Sequence, residues 1–176
     1  MSGYVMRSVA LVSLLFLFPG CVGQEEERRL PDHSFIHEAF VESNIYLIDL
    51  EDEAIDDFVE RYGWEMNKSG SGLRFKIERK GSGPTASYGD RAEIHYSVYL
   101  ITGDLVYSSE DLGTKTFTVG RGGVESGIEE GILMMREGDY ATFILPSHLA
   151  HGVPGDGRKI PRRASLVYKV ELVKLF

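Results

Sequence analysis

Few side chains in this sequence are grouped in a way that supports catalysis. Two histidine pairs, His33 with His37 and His148 with His151, have the spacing of metal ligands, but we assign no third ligand to either pair. The one cysteine, Cys21, lies far from the second pair, and no Ser, His and Asp residues form a nucleophilic set. The sequence therefore predicts no metal, no cofactor and no covalent intermediate.

Aromatic and aliphatic side chains are the remaining candidates. Tyr96, Phe117 and Tyr168 lie in segments that alternate like strands, and on sequence alone they fit core packing and the lining of an apolar pocket equally well. A pocket built from such groups acts through shape and desolvation, not through a nucleophile.

Several segments with a period of two must position these side chains. They are separated by Gly-rich turns, and a single helical segment interrupts them, which indicates a mostly antiparallel sheet in an α+β domain. The alternating apolar positions are Leu73, Phe75 and Ile77; Ala92, Ile94, Tyr96, Val98 and Leu100; Phe117 and Val119; Ala141, Phe143 and Leu145; and Leu166, Tyr168, Val170 and Leu172.

The helical segment among the strands has its own start signal. Ser126 followed by Glu129 is the pattern of a capping box, and Ile128, Ile132 and Met135 lie on one face. We expect that face to pack on the sheet.

A second helical region occupies residues 32–66. Its later half has an apolar stripe at Ile55, Phe58, Val59 and Tyr62. Asp49 is a candidate N-cap, and Gly63 is a candidate C-terminal stop. A weaker helix is expected from Ser34 to Asn44. Together they predict a helical hairpin that packs on the main domain or on a second copy.

The N-terminus is typical of an exported protein. Residues 1–20 contain a short apolar run ended by Pro19, too short for a membrane span, and read as a signal peptide. The residues before Cys21 resemble the lipobox of bacterial lipoproteins, so we expect a lipid on Cys21 and a flexible tether over 21–31. Val22 does not supply the Asp that retains some lipoproteins at the inner membrane. We therefore expect a lipid-anchored envelope protein at the outer membrane.

The overall charge restricts the partner. The formal net charge is −8 and the pI is about 5.1. Sequence-independent nucleic-acid binders need clustered Lys and Arg to neutralise phosphates. We therefore exclude nucleic acid and expect a protein partner.

The order of strands, helix and short motifs over residues 72–176 resembles FKBP-type peptidyl-prolyl cis-trans isomerase domains. No single motif is specific, but together they occur in the family's order at family-like spacings. They are His95-Tyr96, Ser108-Ser109, Val119-Gly120, Gly127 to Gly131, Pro146, Ala150-His151-Gly152, Ile160-Pro161 and Ala164 to Leu172. The resemblance implies a twisted antiparallel sheet wrapped around one short helix, in a domain over 67–176 preceded by the helical segment.

The resemblance also implies a proline-binding pocket. Five positions match the family's apolar lining: Tyr96, Phe117, Val124, Ile160 and Tyr168.

Other pocket positions depart from the family pattern. Val106-Tyr107 stands in place of Phe-Asp, Glu125 in place of an aliphatic residue, Ile128 in place of a Trp floor, and His151 in place of a Tyr. An Ile floor loses aromatic area that would grip the pyrrolidine ring, and the phenol of Tyr107 does not replace a carboxylate electrostatically. We expect modest turnover, and binding of the macrolide FK506 stays open.

The resemblance implies a membrane-tethered isomerase that binds X-Pro segments of exported proteins and assists their folding. The altered pocket leaves a peptide-binding or chaperone module with little turnover as an alternative. A structural lipoprotein of a surface apparatus is a third interpretation, because Arg61-Tyr62-Gly63-Trp64 is similar to the link in gliding-motility-associated isomerase lipoproteins.

Overall fold

The computed structural model describes residues 33–176, with side chains from Ile36 onward. The predicted signal peptide, the tether and the lipidation site Cys21 lie outside the described residues. Within the described part, no helix is both long enough and apolar enough to cross a membrane.

A long helix precedes a seven-stranded sheet. In chain order the elements are α1 His33–Arg61, β1 Asn67–Lys68, β2 Arg74–Arg79, β3 Arg91–Leu100, β4 Leu105–Ser108, α2 Ser109–Leu112, β5 Lys115–Thr118, α3 Ser126–Ile132, β6 Tyr140–Leu145, a 3-10 turn Ser147–Leu149, and β7 Leu166–Leu175.

All the strand pairs are antiparallel, in the order β1-β2-β6-β7-β3-β4. Strand β5 pairs with the N-terminal half of β3, and β4 pairs with its C-terminal half. The long strands β3 and β7 therefore form the centre from which the site is built. The predicted antiparallel sheet and α+β class are confirmed.

Helix α3 packs on one face of the sheet. Ile128, Ile132 and Met135 are all buried, as the periodicity predicts. Gly131 permits the close approach of α3 to β6, because a Cβ at this position would lie 2.7 Å from the Phe143 ring. The close packing of α3 on the sheet therefore requires glycine at position 131.

The predicted capping box at the start of α3 is wrong. The N-cap is Glu125, and Ser126 is already the first helical residue. The Ser126 hydroxyl donates to the Leu149 carbonyl, and the Glu129 carboxylate accepts from the Gly122 amide. Both side chains thus stabilise neighbouring loops, because the backbone enters the helix one residue earlier than the pattern predicts.

The predicted helical hairpin is also wrong, because α1 is one continuous helix of 29 residues. The segment from Asn44 to Asp49 contains no Gly or Pro, so nothing in it ends a helix. The expected stop at Gly63 is present: its φ is +63°, its amide donates to the Glu60 carbonyl, and the Trp64 amide donates to the Val59 carbonyl. This pair of bonds is a Schellman ending.

The C-terminal half of α1 covers the face of the sheet opposite α3. Ile55 and Phe58 form a second apolar cluster with Ile144 of β6 and Val167 of β7. A sheet face that strand alternation alone would leave exposed to solvent is therefore buried.

Arg74 lies under α1, although its place in the alternation predicts a solvent-facing side chain. It is 2% exposed, and its guanidinium contacts Asp52 at 2.6 Å and Asp56 at 2.5 Å. A buried cation needs such partners, and this ion pair fixes how α1 lies across β2.

The N-terminal half of α1 extends away from this contact. Its apolar side chains are largely solvent-exposed, with Phe40 at 65% and Tyr46 at 63%. The helical region was expected to pack on the main domain, and the structure shows such packing only for the C-terminal half of α1.

Candidate functional site

A cleft of about 690 Å³ opens between the sheet, α3 and the long connection from β6 to β7. It is lined by Tyr96, Val98, Tyr107, Leu112, Lys115, Gly123, Val124, Glu125, Ile128, His151, Asp156, Arg158 and Tyr168.

The structure brings seven of the ten sequence-predicted pocket residues together around this cleft: Tyr96, Tyr107, Val124, Glu125, Ile128, His151 and Tyr168. The other three, Val106, Phe117 and Ile160, do not line it and are buried, at 6%, 6% and 3% exposure. They belong to the same core cluster as Val98, Ile128 and Tyr168.

Two central strands and α3 supply the apolar part. Val98 of β3 lies opposite Tyr168 of β7 in the strand register, and Tyr96 is two residues before Val98 on the same strand. Ile128 of α3 is 1% exposed and lies in the core cluster with Val98 and Tyr168. Rigid elements therefore hold the walls and the floor.

Two of the phenols are kept protonated. Burial, followed by the charge of Glu125 and a hydrogen bond to it, raises the pKa of Tyr168 well above its usual range. Burial and the charge of Glu125 also raise the pKa of Tyr96. Both hydroxyls therefore remain hydrogen-bond donors at physiological pH.

Glu125 and His151 face each other across the cleft. The His151 Nε2 lies 3.0 Å from a Glu125 carboxylate oxygen, and both side chains are mostly shielded from solvent. Glu125 comes from the N-cap of α3, and His151 from the β6–β7 connection. The contact links the helix to that connection.

Asp156 supplies a carboxylate that the sequence reasoning missed. Tyr107 of β4 donates its hydroxyl to Asp156, and the amides of Arg158 and Ile160 each donate to it at 2.8 Å. Burial acts to raise the pKa of Asp156, but these bonds and the charge of His151 outweigh it and lower the pKa to about 2. The cleft thus holds a carboxylate on the Tyr107 side, although Tyr107 itself is a phenol.

The other lining residues that sequence reasoning missed are Val98, Leu112, Lys115, Gly123 and Arg158. Asp156 and Arg158 lie in a Gly-rich connection whose local pattern carries no sign of a partner. Only the tertiary approach of that connection to β4 brings them to the cleft.

The chemistry available here is noncovalent. The lining contains no Ser, Thr or Cys. Among the side chains that the structure describes, from Ile36 onward, no group of three or more His, Cys, Asp or Glu residues is placed to hold a metal ion. The arrangement can enclose an apolar ring and donate a hydrogen bond from the Tyr96 phenol at its wall.

Comparison with known proteins agrees with this geometry. The family model for FKBP-type peptidyl-prolyl cis-trans isomerases matches residues 83–173, just over half of the chain. A probable FKBP-type peptidyl-prolyl cis-trans isomerase FkpA of Neisseria meningitidis is 38% identical over 62% of this chain and 40% of that protein. FK506-binding protein 2 of Dictyostelium discoideum is 41% identical over 48% of this chain and 65% of that protein.

A solved structure supports the same fold. The crystal structure of AtFKBP13 superposes with a TM-score of 0.60 at 34% identity, covering 62% of this chain and 98% of that one. The family-matched region, residues 83–173, contains strands β3 to β6, most of β7, helix α3 and the cleft-lining residues from Tyr96 to Tyr168. The chain belongs to the FKBP-type peptidyl-prolyl cis-trans isomerase family.

Proposed function

We propose that this protein is a peptidyl-prolyl cis-trans isomerase that binds X-Pro segments of other polypeptides in the cleft. The observation that carries the proposal is a cleft with an aliphatic floor, Ile128, and phenolic walls, Tyr96 and Tyr168, whose lining lacks a hydroxyl or thiol nucleophile of the Ser, Thr or Cys kind. Its size suits a proline ring with its flanking residues.

The reaction needs no covalent step. Rotation about an X-Pro bond must break amide resonance, at a barrier of about 18–20 kcal/mol for peptide bonds. The planar amide is more charge-separated than the twisted one, so an apolar enclosure favours the twisted state. The aromatic and aliphatic faces of Tyr96, Ile128 and Tyr168 provide that enclosure, and the protonated phenol of Tyr96 can donate a hydrogen bond to a substrate carbonyl.

We propose that turnover is modest. Ile128 offers less flat area to the pyrrolidine ring than a Trp would, and aromatic area contributes to both grip and orientation. Glu125 and His151, which contact each other in the cleft, are polar groups that must stay paired when an apolar segment binds.

The test is a protease-coupled isomerase assay on short X-Pro peptides. Tyr168→Ala removes a wall of the cleft, and we expect it to lower kcat/KM at least about tenfold. The matched control is Tyr88→Ala, which removes a phenol that is 77% exposed and outside the cleft, and it should keep wild-type turnover. A wild-type rate equal to the uncatalysed rate would contradict the enzyme proposal.

A peptide-binding or chaperone module with the same fold is the second candidate. The aliphatic floor at Ile128 favours it, because binding an X-Pro segment needs less aromatic enclosure than accelerating its rotation. Suppression of aggregation of an unfolded protein without turnover would support this candidate over the first.

We propose that a lipid-modified N-terminal segment tethers this activity to a membrane. A signal peptide over 1–20, a lipid on Cys21 and a tether over 21–31 would hold the domain in the bacterial envelope, with clients among exported proteins. Cys21→Ser should abolish labelling by radioactive palmitate, and persistent label on the variant would refute the anchor.

A further inference from the structure

The connection between β6 and β7, residues 146–165, carries three residues of the cleft, His151, Asp156 and Arg158. We call this connection the flap. We propose that Glu51 of α1 is a positioning residue that holds both ends of the flap and thereby sets the geometry of the cleft. The catalytic part of this proposal rests on the proposed isomerase function.

One carboxylate contacts the two ends of the flap. A Glu51 oxygen accepts from the Ser147 amide at 2.6 Å and from the Ser165 hydroxyl at 2.6 Å. The other oxygen accepts from the Ser147 hydroxyl at 2.8 Å. Ser147 and Ser165 are each 8% exposed, so these donors have little access to water as a substitute partner.

Backbone hydrogen bonds couple Ser147 to the part of the flap that contains His151. The Ser147 carbonyl accepts from the amides of Ala150 at 3.0 Å and Gly152 at 2.7 Å, which enclose His151. The Gly152 carbonyl in turn accepts from the Arg163 amide at 3.1 Å, close to the other end. The Glu51 contact is therefore continuous with the backbone that presents His151 to the cleft.

The helix that bears Glu51 is itself firmly held. The next residue, Asp52, contacts the buried Arg74 at 2.6 Å, and Ile55, one turn later, is fully buried against the sheet. A carboxylate on a docked helix can fix its partners more closely than one on a loop.

The strand pairing alone does not orient the two ends of the flap. The β6–β7 ladder ends at the pair Leu145 and Leu166, just outside the flap. That ladder keeps the flap ends near each other, whereas Glu51 orients Ser147, the second residue of the flap, and Ser165, its last. Loss of Glu51 should therefore loosen the flap and leave the sheet intact.

The experiment compares three variants of the mature full-length chain. Glu51→Ala removes all three contacts. Glu51→Gln keeps an acceptor for the Ser147 amide and gains a donor for a serine hydroxyl, so it tests rescue. Glu53→Ala, an exposed acid two residues away on α1, is the matched control.

We expect Glu51→Ala to lower kcat/KM on X-Pro peptides about tenfold, mainly through kcat, since misplacement of a cleft residue weakens transition-state enclosure. Amide hydrogen exchange should rise within 147–165 and stay unchanged in β3 and β7. The fluorescence of Trp64, which packs at the far end of α1, should not change. Glu51→Gln should recover most of the loss, and Glu53→Ala should match wild type.

Flap exchange in Glu51→Ala equal to that of the Glu53→Ala control would overturn the proposal. So would a kcat/KM loss that Glu51→Gln does not relieve. If Glu51→Ala fails to fold, Ser165→Ala removes one of the three contacts and should raise exchange in the flap and lower kcat/KM about threefold. If wild type shows no turnover, the proposed function fails, and the exchange comparison alone decides whether Glu51 holds the flap.

Discussion

At the scale of single residues, the cleft holds two carboxylates whose hydrogen-bonding partners come from the protein itself. Glu125 contacts His151, and Asp156 accepts from Tyr107 and from flap amides. Because these charges already have partners, the apolar faces of Ile128 and Tyr168 are the surfaces on which a substrate ring can pack. Changes in activity should therefore follow the apolar area of the floor.

Ile128→Trp tests the floor. The larger ring adds aromatic area below the bound proline, and we expect kcat/KM to rise about threefold to tenfold in the protease-coupled assay. Ile132→Trp is the control, because Ile132 is equally buried on the same helix but outside the cleft lining; it should lower the melting temperature without raising turnover. A folded Ile128→Trp protein with unchanged or lower turnover would contradict the role of the floor.

Asp156 gives a pH dependence with a defined sign. Its pKa is about 2 in the folded protein and has a reference value of 3.8, so the ionised form is favoured by folding. Its contribution to stability is present above about pH 4 and is lost as the pH falls to about 2. We expect the difference in melting temperature between wild type and Asp156→Asn to shrink over this window. If the difference in melting temperature between wild type and Asp156→Asn stayed constant from pH 7 to pH 2, ionised Asp156 would not be the source of the pH-dependent stability.

At the scale of elements, α1 is attached to the sheet by an apolar cluster and by one buried cation. Arg74 of β2 is enclosed between Asp52, Asp56 and the Gly72 carbonyl, which accepts from it at 2.7 Å. The hydrogen bond from Arg74 is the first cause of the lowered pKa of Asp52. The same turn of α1 also carries Glu51, so docking of the helix and position of the flap depend on neighbouring residues.

Arg74→Ala should lower the free energy of unfolding by about 1–3 kcal/mol, since it removes a buried charge-assisted network whose acids are partly exposed. Urea unfolding followed by Trp64 fluorescence measures this. Arg79→Ala on the same strand breaks an exposed pair with Glu171 and should cost less than about 1 kcal/mol. Equal losses in the two variants would show that burial of Arg74 contributes nothing.

At the scale of the whole molecule, the sheet is covered by α3 on one face and by α1 on the other. On the α1 face, Ile144 and Val167 of the sheet are buried in a cluster with Ile55 and Phe58 of α1, and Val59 and Trp64 pack against that cluster. The N-terminal half of α1 projects with exposed apolar side chains. Helix α1, which precedes the region matched to the family, therefore packs on the sheet of the family domain.

Removal of α1 tests this packing. A chain starting at Asn67 should be less stable by about 3 kcal/mol or more, because Ile55 and Phe58 no longer cover the sheet, and it should bind the dye ANS. A chain starting at His33 is the control and should retain the stability of the mature protein. Identical melting curves for the two chains would mean that α1 does not stabilise the sheet.

Much of the fold follows from local pattern. Period-two alternation predicts the strands, period 3.6 predicts the buried face of α3 at Ile128 and Ile132, and Gly63 predicts the end of α1. These signals are reliable because they arise within one element. The capping box at Ser126 and the hairpin in α1 were wrong because a cap depends on where the backbone enters the helix, and a break needs a residue that stops it.

The site divides in the same way. The sequence by itself determined that the apolar side chains of β3, β7 and α3 share faces, because strand and helix periods set this. The resemblance to FKBP domains, and not the period, assigned Tyr96, Ile128 and Tyr168 to a pocket. The tertiary structure alone decided that Asp156 meets Tyr107 and that Glu51 reaches Ser147 and Ser165. Those contacts join residues far apart in the chain, and their geometry depends on how α1 and the flap pack on the finished sheet, which no local period encodes.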